Sequence, residues 1–205
     1  MDDVDRLSAE IAACRICRDA PLGRPLPHEP RPIFRISPTA RICIASQAPG
    51  LRAHASGVPF SDPSGKRLRA WMGVSEAVFY DAAKIAITPM GFCFPGYDAQ
   101  GGDLPPRKEC AITWRGRLFT TLPYFKLTLL VGRHAQAWHL GKAAPGVSPQ
   151  GALGYDEEIH RPGLGRVIGL PHPSWRNNGW LKRNPWFEER VTPMLRMLID
   201  DILSA

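Results

Sequence analysis

The chain has 205 residues, of which 44% are hydrophobic and 22% are charged. This length and balance are typical of one globular domain with a substantial core, so we expect residues 1–205 to form a single domain and a monomer. No apolar run approaches the length of a membrane-spanning helix, and the acidic, amphipathic N-terminus is unlike a secretory signal, which together favour a cytoplasmic protein. The formal net charge of +7 favours a polyanionic partner, although charge alone is a weak indicator.

Helical and strand patterns alternate along the chain. In order, the sequence predicts a helix (5–14), a proline-rich connector (21–38), a strand (41–46), a helix (63–72), a strand (84–88), a glycine- and proline-rich loop (91–106), a helix (107–121), a strand (127–132), a helix (133–140), a surface excursion (142–161), a strand (166–170) and a closing helix (185–203). This alternation predicts an α/β fold, a three-layer α/β/α sandwich with a central four-stranded, mainly parallel sheet.

The most informative segment is His172-Pro173-Ser174, which directly follows the last predicted strand. In open α/β sheets, ligands bind at the carboxyl ends of strands, so this segment is placed to serve a site. The aromatic and cationic loop at residues 175–183 comes next and favours chemistry on a nucleic acid. The alternative is a histidine that packs at a strand end and bonds to the backbone.

A second candidate loop follows the first strand and leads into the helix at residues 63–72. It carries an aromatic ring, a carboxylate and small residues close to the predicted helix start. Such a combination favours a pocket that stacks a base and binds an anion.

Taken together, these motifs resemble the uracil-DNA glycosylase superfamily, and most closely its iron–sulfur families. Residues 46–50 (SQAPG) stand where the superfamily has Gly-Glu-Ala-Pro-Gly or a variant, and residues 57–60 (GVPF) match its Gly-x-Pro-Phe element. Residues 172–174 match its His-Pro-Ser motif, while residues 87–96 and 130–135 resemble further strand–loop and strand–helix junctions. The resemblance implies a DNA repair enzyme that extrudes uracil from DNA and hydrolyses its N-glycosidic bond, leaving an abasic site.

The resemblance also implies roles for residues of the base pocket. Phe60 stacks on the flipped base and recovers roughly 1–3 kcal/mol of the cost of unstacking, and His172 donates to the charge on the departing base. Ala48 and Gly50 line the pocket, and Thr88 falls near the position that often holds an asparagine reading uracil. A threonine hydroxyl discriminates less than an amide, and Gly50 replaces a tyrosine that excludes the thymine methyl in some relatives. Substrates broader than uracil, including deaminated purines, therefore stay open.

Water activation is where the sequence departs from its relatives. They carry a carboxylate in the first motif, whereas this chain has Gln47 and Ala48, neither of which is a base. Gln47 is instead expected to orient water or to contact the base through its backbone. Another branch of the superfamily uses an aspartate just after the Pro-Phe element, which nominates Asp62. The alternative for Asp62 is a helix N-cap before Pro63.

The cysteines match the iron–sulfur families only in part. The resemblance implies that Cys14, Cys17 and Cys110 are ligands of a [4Fe–4S] cluster, but the fourth is expected near Lys126, where the chain has no cysteine. Cys93 is expected in the loop near the pocket and outside this set. We therefore favour an absent or incomplete cluster and expect that the chemistry requires no cofactor.

The loop after His172 is expected to engage DNA. Ser174 and Ser64 are predicted to contact phosphates, Trp175 or Leu181 to fill the gap left by the extruded base, and cationic side chains to neutralise phosphates. The residues predicted to contact DNA are Ser64, Ser174, Trp175, Arg176, Asn177, Leu181, Lys182 and Arg183. The alternative is a solvated basic loop whose tryptophans lie in the core, which suits Trp180 and Trp186 better than Trp175.

The preferred function is excision of uracil from DNA, with two alternatives. A DNA-lesion binding protein that keeps the fold but has lost turnover is favoured by the missing carboxylate of the first motif. A hydrolase of free nucleotides is disfavoured by the basic, aromatic loop.

Overall fold

A parallel β-sheet organises the chain in the computed structural model, which describes residues 2–141, 160–161 and 163–205. The strands are β1 (Ile42–Ala45), β2 (Ile85–Ile87), β3 (Leu127–Val131), β4 (His160–Arg161) and β5 (Gly165–Leu170). Four of them run parallel, and the two-residue β4 pairs antiparallel with β5, which gives the order β2-β1-β3-β5-β4. The predicted α/β fold with a four-stranded parallel sheet is confirmed, and β4 adds a short edge.

Helices cover both faces of this sheet. They are α1 (Asp3–Ala12), α2 (Ile16–Asp19), α3 (Leu51–Ser56), α4 (Pro63–Met72), α5 (Glu76–Tyr80), α6 (Lys108–Thr121), α7 (Arg133–Leu140), α8 (Asn178–Arg183) and α9 (Thr192–Ser204). In the part of the chain that the structure describes, no helix combines the length and the apolar character needed to cross a membrane.

Strands β1, β2 and β3 are buried on both faces, so their residues alternate between two apolar layers. Ile42 and Ile44 of β1 pack in the layer formed with α4 and α9, whereas Cys43 faces the layer formed with α1 and α6. Because both layers exclude water, β1 and β2 are continuous apolar runs, and the one polar residue of β3, Thr128, is buried and donates to the Leu164 carbonyl.

The closing helix differs from its predicted extent. Residues Phe187–Val191 form a wider π turn before α9, and the Thr192 N–H bonds to the carbonyl of Phe187, five residues back. Pro193 lacks an N–H and its ring crowds the carbonyl four residues earlier, which explains the widening at this point. The predicted surface excursion lies outside the described residues over 142–159, and its last two residues form β4.

The helices that sequence patterns did not indicate are short. α2, α3, α5 and α8 contain between four and six residues, which is less than two turns. An apolar stripe needs about two turns to be distinguished from a loop.

Candidate active site

The carboxyl ends of the four parallel strands open into one cavity of about 1050 Å³. Ser46 after β1, Pro89 close behind β2, Gly132 after β3 and Pro171 after β5 all line it. The cavity therefore occupies the edge at which open α/β sheets bind ligands.

The first-motif loop forms one wall of this cavity. Gln47, Ala48 and Gly50 all line it. The Gln47 carbonyl accepts a hydrogen bond from the Gly91 N–H at 3.0 Å, which ties this loop to the one after β2. The Gln47 side chain lies over Gly132, where an added Cβ would come within 2.5 Å of its amide nitrogen. Gln47 is therefore held in place by the two neighbouring loops.

Phe60 lies in the cavity with an unusual backbone. Its φ of 55° is in the left-handed region, which is uncommon for a residue other than glycine. The Tyr80 hydroxyl lies 3.0 Å from the Pro59 carbonyl oxygen and 3.2 Å from that of Phe60. Gly65 passes so close behind that an added Cβ would be 1.8 Å from the Phe60 carbonyl oxygen. The surroundings therefore fix the ring position of Phe60, which packs edge-on against Phe79.

His172 lies in the same cavity and is partly buried. Burial lowers the pKa of His172 to about 4, although the nearby charge of Asp62 opposes the shift. At neutral pH the imidazole is therefore uncharged and keeps one N–H to donate. The Asn177 side-chain amide donates to the His172 carbonyl at 2.6 Å and so holds this turn from below.

Asp62 lines the cavity and also caps a helix. Its Oδ1 accepts a hydrogen bond from the Gly65 N–H at 3.2 Å at the start of α4. The N-cap alternative raised from the sequence is thus observed, and a role for Asp62 in activating water stays a prediction.

Thr88 does not lie where its predicted role requires. Its side chain is fully buried, and its hydroxyl contacts the Cys43 sulfur at 3.3 Å inside the core. Its neighbours Ile87 and Pro89 are the residues that face the cavity. Alternation along the strand end therefore turns the Thr88 hydroxyl away from any ligand, and the prediction that it reads a base is wrong on geometry.

The turn after His172 presents polar and aromatic groups at the cavity mouth. Ser174, Trp175, Arg176 and Asn177 line the cavity, as does Ser64 at the start of α4. The Ser174 hydroxyl accepts from the Arg176 N–H at 3.3 Å, which fixes the turn. Trp175 is 73% exposed, with the Arg176 guanidinium 5.7 Å from its ring centroid. This large, exposed ring beside a cation is free to contact a partner.

Three residues further along this segment, Leu181, Lys182 and Arg183, do not line the main cavity. Leu181 packs against the core and, with Lys182, lines a separate groove of about 430 Å³, while Arg183 is exposed on α8. Leu181 is therefore not the residue placed to enter a gap at the main cavity. Trp180 and Trp186 pack edge-on against one another and against the core, in line with the core alternative, although Trp180 also lines the main cavity.

The sequence profile of the Uracil DNA glycosylase superfamily matches residues 34–196. The chain belongs to this superfamily. The matched range includes every loop that forms the cavity, and membership implies a glycosylase-like function on DNA.

This glycosylase-superfamily cavity contains charged residues that the sequence did not single out. They are Arg52, Arg67, Asp103 and Arg133. Arg133 lies within the strand–helix junction motif at residues 130–135, which is a signal that could have found it. Asp103 comes from the glycine-rich loop between β2 and α6, where no motif marks it. Burial raises the pKa of the Asp103 carboxyl, with Arg176 opposing and Asp62 adding to the shift.

Four cysteines come together on the opposite side of the sheet from α4 and α9. Cys17, Cys93 and Cys110 are buried in the apolar layer that also contains Cys43, and Cys14 packs against it. The expectation that Cys93 lies apart from the other three, near the pocket, was therefore wrong. The fold brings this residue to the other three from the loop after β2.

The pKa values of these thiols reflect their proximity to one another. Burial raises the pKa of Cys17 to about 11 and that of Cys93 to about 12, with Cys14 contributing to both shifts. The pKa of Cys110 is raised by burial and by all three other thiols. Among the described residues, no group of three or more ligand side chains is close enough to share a single metal ion. A [4Fe–4S] cluster has a different requirement, since four thiolates each bind a separate iron, and the donor set fits it.

Proposed function

We propose that this protein is a monofunctional uracil-DNA glycosylase, which flips uracil out of DNA and hydrolyses its N-glycosidic bond to leave an abasic site. The observation that supports this most is the joint placement of Phe60 and His172 in one cavity at the carboxyl edge of the sheet. One supplies an aromatic face for a base, and the other supplies a neutral hydrogen-bond donor.

Base binding is assigned to Phe60 and the first-motif loop. Stacking of the extruded ring on Phe60 is worth roughly 1–3 kcal/mol, which offsets part of the cost of unstacking it from DNA. Gly50 presents no side chain to the cavity, so a 5-methyl group is not excluded at this position. With Thr88 turned into the core, base selection is assigned to backbone groups, and we keep other deaminated bases among the substrates to be tested.

His172 is assigned to the departing base. As the glycosidic bond breaks, negative charge develops on the base, and the His172 N–H stabilises it. Loss of one such preorganised donor costs about 2.7–4 kcal/mol in a well-studied protease. The imidazole is neutral at physiological pH, so it donates a hydrogen bond without giving up a proton.

Attack by water requires a group that accepts its proton. Two carboxylates line the cavity among the described residues, Asp62 and Asp103. The sequence predicted Asp62 as the proton acceptor, and its negative charge raises the pKa values of both His172 and Asp103.

DNA binding is assigned to the cavity mouth. Arg67 and Arg176 offer charges to phosphates, Ser64 and Ser174 offer hydroxyls, and Trp175 is the exposed ring placed to fill the vacated position in the stack. Lys182 and Arg183 lie further out on α8 and would contact only flanking phosphates.

The test is incubation of the protein with matched oligonucleotides containing uracil or thymine, followed by alkaline cleavage of abasic sites. We expect strand breaks at uracil only. A gel shift without breaks would favour the lesion-binding alternative, which the absence of a carboxylate at Gln47 and Ala48 supports. Activity on free nucleotides with none on DNA would favour a small-molecule hydrolase.

We also propose that Cys14, Cys17, Cys93 and Cys110 hold a [4Fe–4S] cluster. The resemblance to the iron–sulfur families implied the first, second and last of these ligands, and the position of Cys93 beside them supplies the fourth. Its role would be structural, because none of these residues lines the cavity. The four thiols join the N-terminal segment, the loop after β2 and helix α6. Anaerobically purified protein should contain about four iron and four sulfide per chain, and protein without iron would contradict the proposal.

A further inference from the structure

Asp103 brings a carboxylate to the wall of the cavity where the first motif lacks one. Its Oδ2 lies 3.7 Å from the position that a Cβ would take on Gly50, the last residue of that motif. Gln47 and Ala48 supply no acid here, so the carboxylate beside this loop comes from the connection between β2 and α6.

The loop that carries Asp103 is built to hold it. Tyr97 and Asp103 form an antiparallel bridge, and the Asp98 N–H bonds to the Gly102 carbonyl at 2.8 Å. The Asp98 carboxylate accepts from the Gly102 N–H at 2.7 Å and from the Gln100 N–H at 2.9 Å, which closes the turn. Asp103 is thus at the base of a closed hairpin and not at the tip of an open loop.

Asp103 is better placed to act on water than Asp62. One oxygen of Asp62 is used as the cap of α4, whereas neither carboxylate oxygen of Asp103 accepts a hydrogen bond from the residues that the structure describes. The charged groups that face Asp103 are Arg176, Asp62 and Asp98, and partial burial with two of these acids raises its pKa. A more basic carboxylate is a more effective proton acceptor at neutral pH.

We infer that Asp103 is the catalytic residue that accepts the proton of the attacking water, an inference that rests on the proposed glycosylase function. The water oxygen forms a bond to C1′ of the sugar as one of its protons passes to the Asp103 carboxylate. The electron pair of the C1′–N bond leaves with the base, whose charge His172 stabilises until the base takes up a proton. The products are the free base and an abasic sugar.

The test compares single-turnover excision by the wild-type protein with that by Asp103→Asn, Asp62→Asn and Asp98→Asn. Asp98→Asn is the matched control, since it removes one negative charge from the same loop and can still accept the turn hydrogen bonds. General-base removal typically costs 10²–10⁴-fold, so Asp103→Asn should slow excision by at least ~100-fold with substrate binding retained. Asp62→Asn, which keeps a good N-cap, should slow it by ~10-fold or less.

A pH profile separates proton transfer from a structural role. Wild-type excision should fall as the pH drops and Asp103 is protonated, Asp103→Asn should lose this limb, and Asp98→Asn should keep it. Partial recovery in Asp103→Glu would support the inference further. Near-normal excision by Asp103→Asn, or a larger loss in Asp62→Asn, overturns it while the proposed function stands. An inactive wild-type protein overturns the proposed function and this inference with it.

Discussion

The connection between β2 and α6 consists of two halves with opposite environments. Residues 88–96 are all buried and carry Cys93 into the thiol cluster, with Pro89 and Pro95 at the cavity wall. Residues 97–105 lie mostly at the surface and carry Asp103 into the cavity. One continuous segment therefore joins a part that stabilises the fold to a part that can meet a substrate. We therefore expect substitutions in the thiol cluster to lower the stability of the fold, and substitutions in the cavity to lower the rate of catalysis with little effect on stability.

The strongest test of this division is His172→Ala on the cavity side. Removal of the donor should lower single-turnover excision by about 10²–10³-fold, because the charge on the departing base loses its partner. Binding to uracil-containing DNA and unfolding by urea at about pH 8 should change little. Normal excision by this variant would remove His172 from the mechanism.

Cys93→Ser tests the other side of the division. If the four thiols hold a cluster, the variant should lose most of its iron and unfold at lower denaturant concentration, since metal binding contributes to folding free energy. Cys43→Ser is the matched control, because Cys43 is buried in the same layer but bonds to Thr88, and none of the four thiols contributes to its pKa shift. Equal iron contents in the two variants would contradict the assignment.

Acidification provides a test of His172 that is independent of catalysis. Its pKa is depressed from 6.5 to about 4, so the unfolded chain takes up a proton in this range while the folded protein does not. The contribution of neutral His172 to the free energy of unfolding is therefore fully present above about pH 6.5 and is lost as the pH falls toward 4. Between about pH 7.5 and pH 5, the wild type should lose roughly 1–2 kcal/mol more than His172→Gln in urea unfolding. Parallel losses in the two proteins would show that the imidazole is not buried in its neutral form.

The smallest expected effect concerns the cavity mouth. Arg176→Ala should lower the slope of log K against log salt by about 0.7–0.9, the value for one phosphate contact, with little change in the rate of the chemical step. Lys126→Ala is a suitable control, because Lys126 precedes β3 and so lies at the opposite edge of the sheet. An unchanged slope for Arg176→Ala would indicate that Arg176 does not contact a phosphate and that other residues bind the DNA backbone.

The strands and the cavity loops could be predicted from the sequence because their signals are local. Buried parallel strands are runs made up mainly of aliphatic residues. His172 lies two residues after β5, and Phe60 lies three residues before α4. Thr88 shows the limit of this reasoning, since an error of one residue at a strand end reverses the side of the sheet that a side chain faces.

The partners brought in by long connections could not be predicted. Cys93 joins Cys14 and Cys17 across nearly eighty positions of the chain, and counting residues from Cys110 pointed instead to Lys126. Asp103 lies in a glycine-rich stretch whose composition indicates only a loop. Its distance from Gly50 depends on how that loop folds back, which no local pattern encodes.

The backbone of Phe60 has a consequence for how such a site can be lost. The ring is held by the Tyr80 hydroxyl and by the absence of a side chain at Gly65, and neither Tyr80 nor Gly65 lines the cavity. A methyl group added at Gly65 would collide with the Phe60 backbone and displace the ring, so Gly65→Ala would alter the base-binding surface as a change of Phe60 itself would. The shape of the proposed base pocket therefore depends in part on residues that do not contact the base.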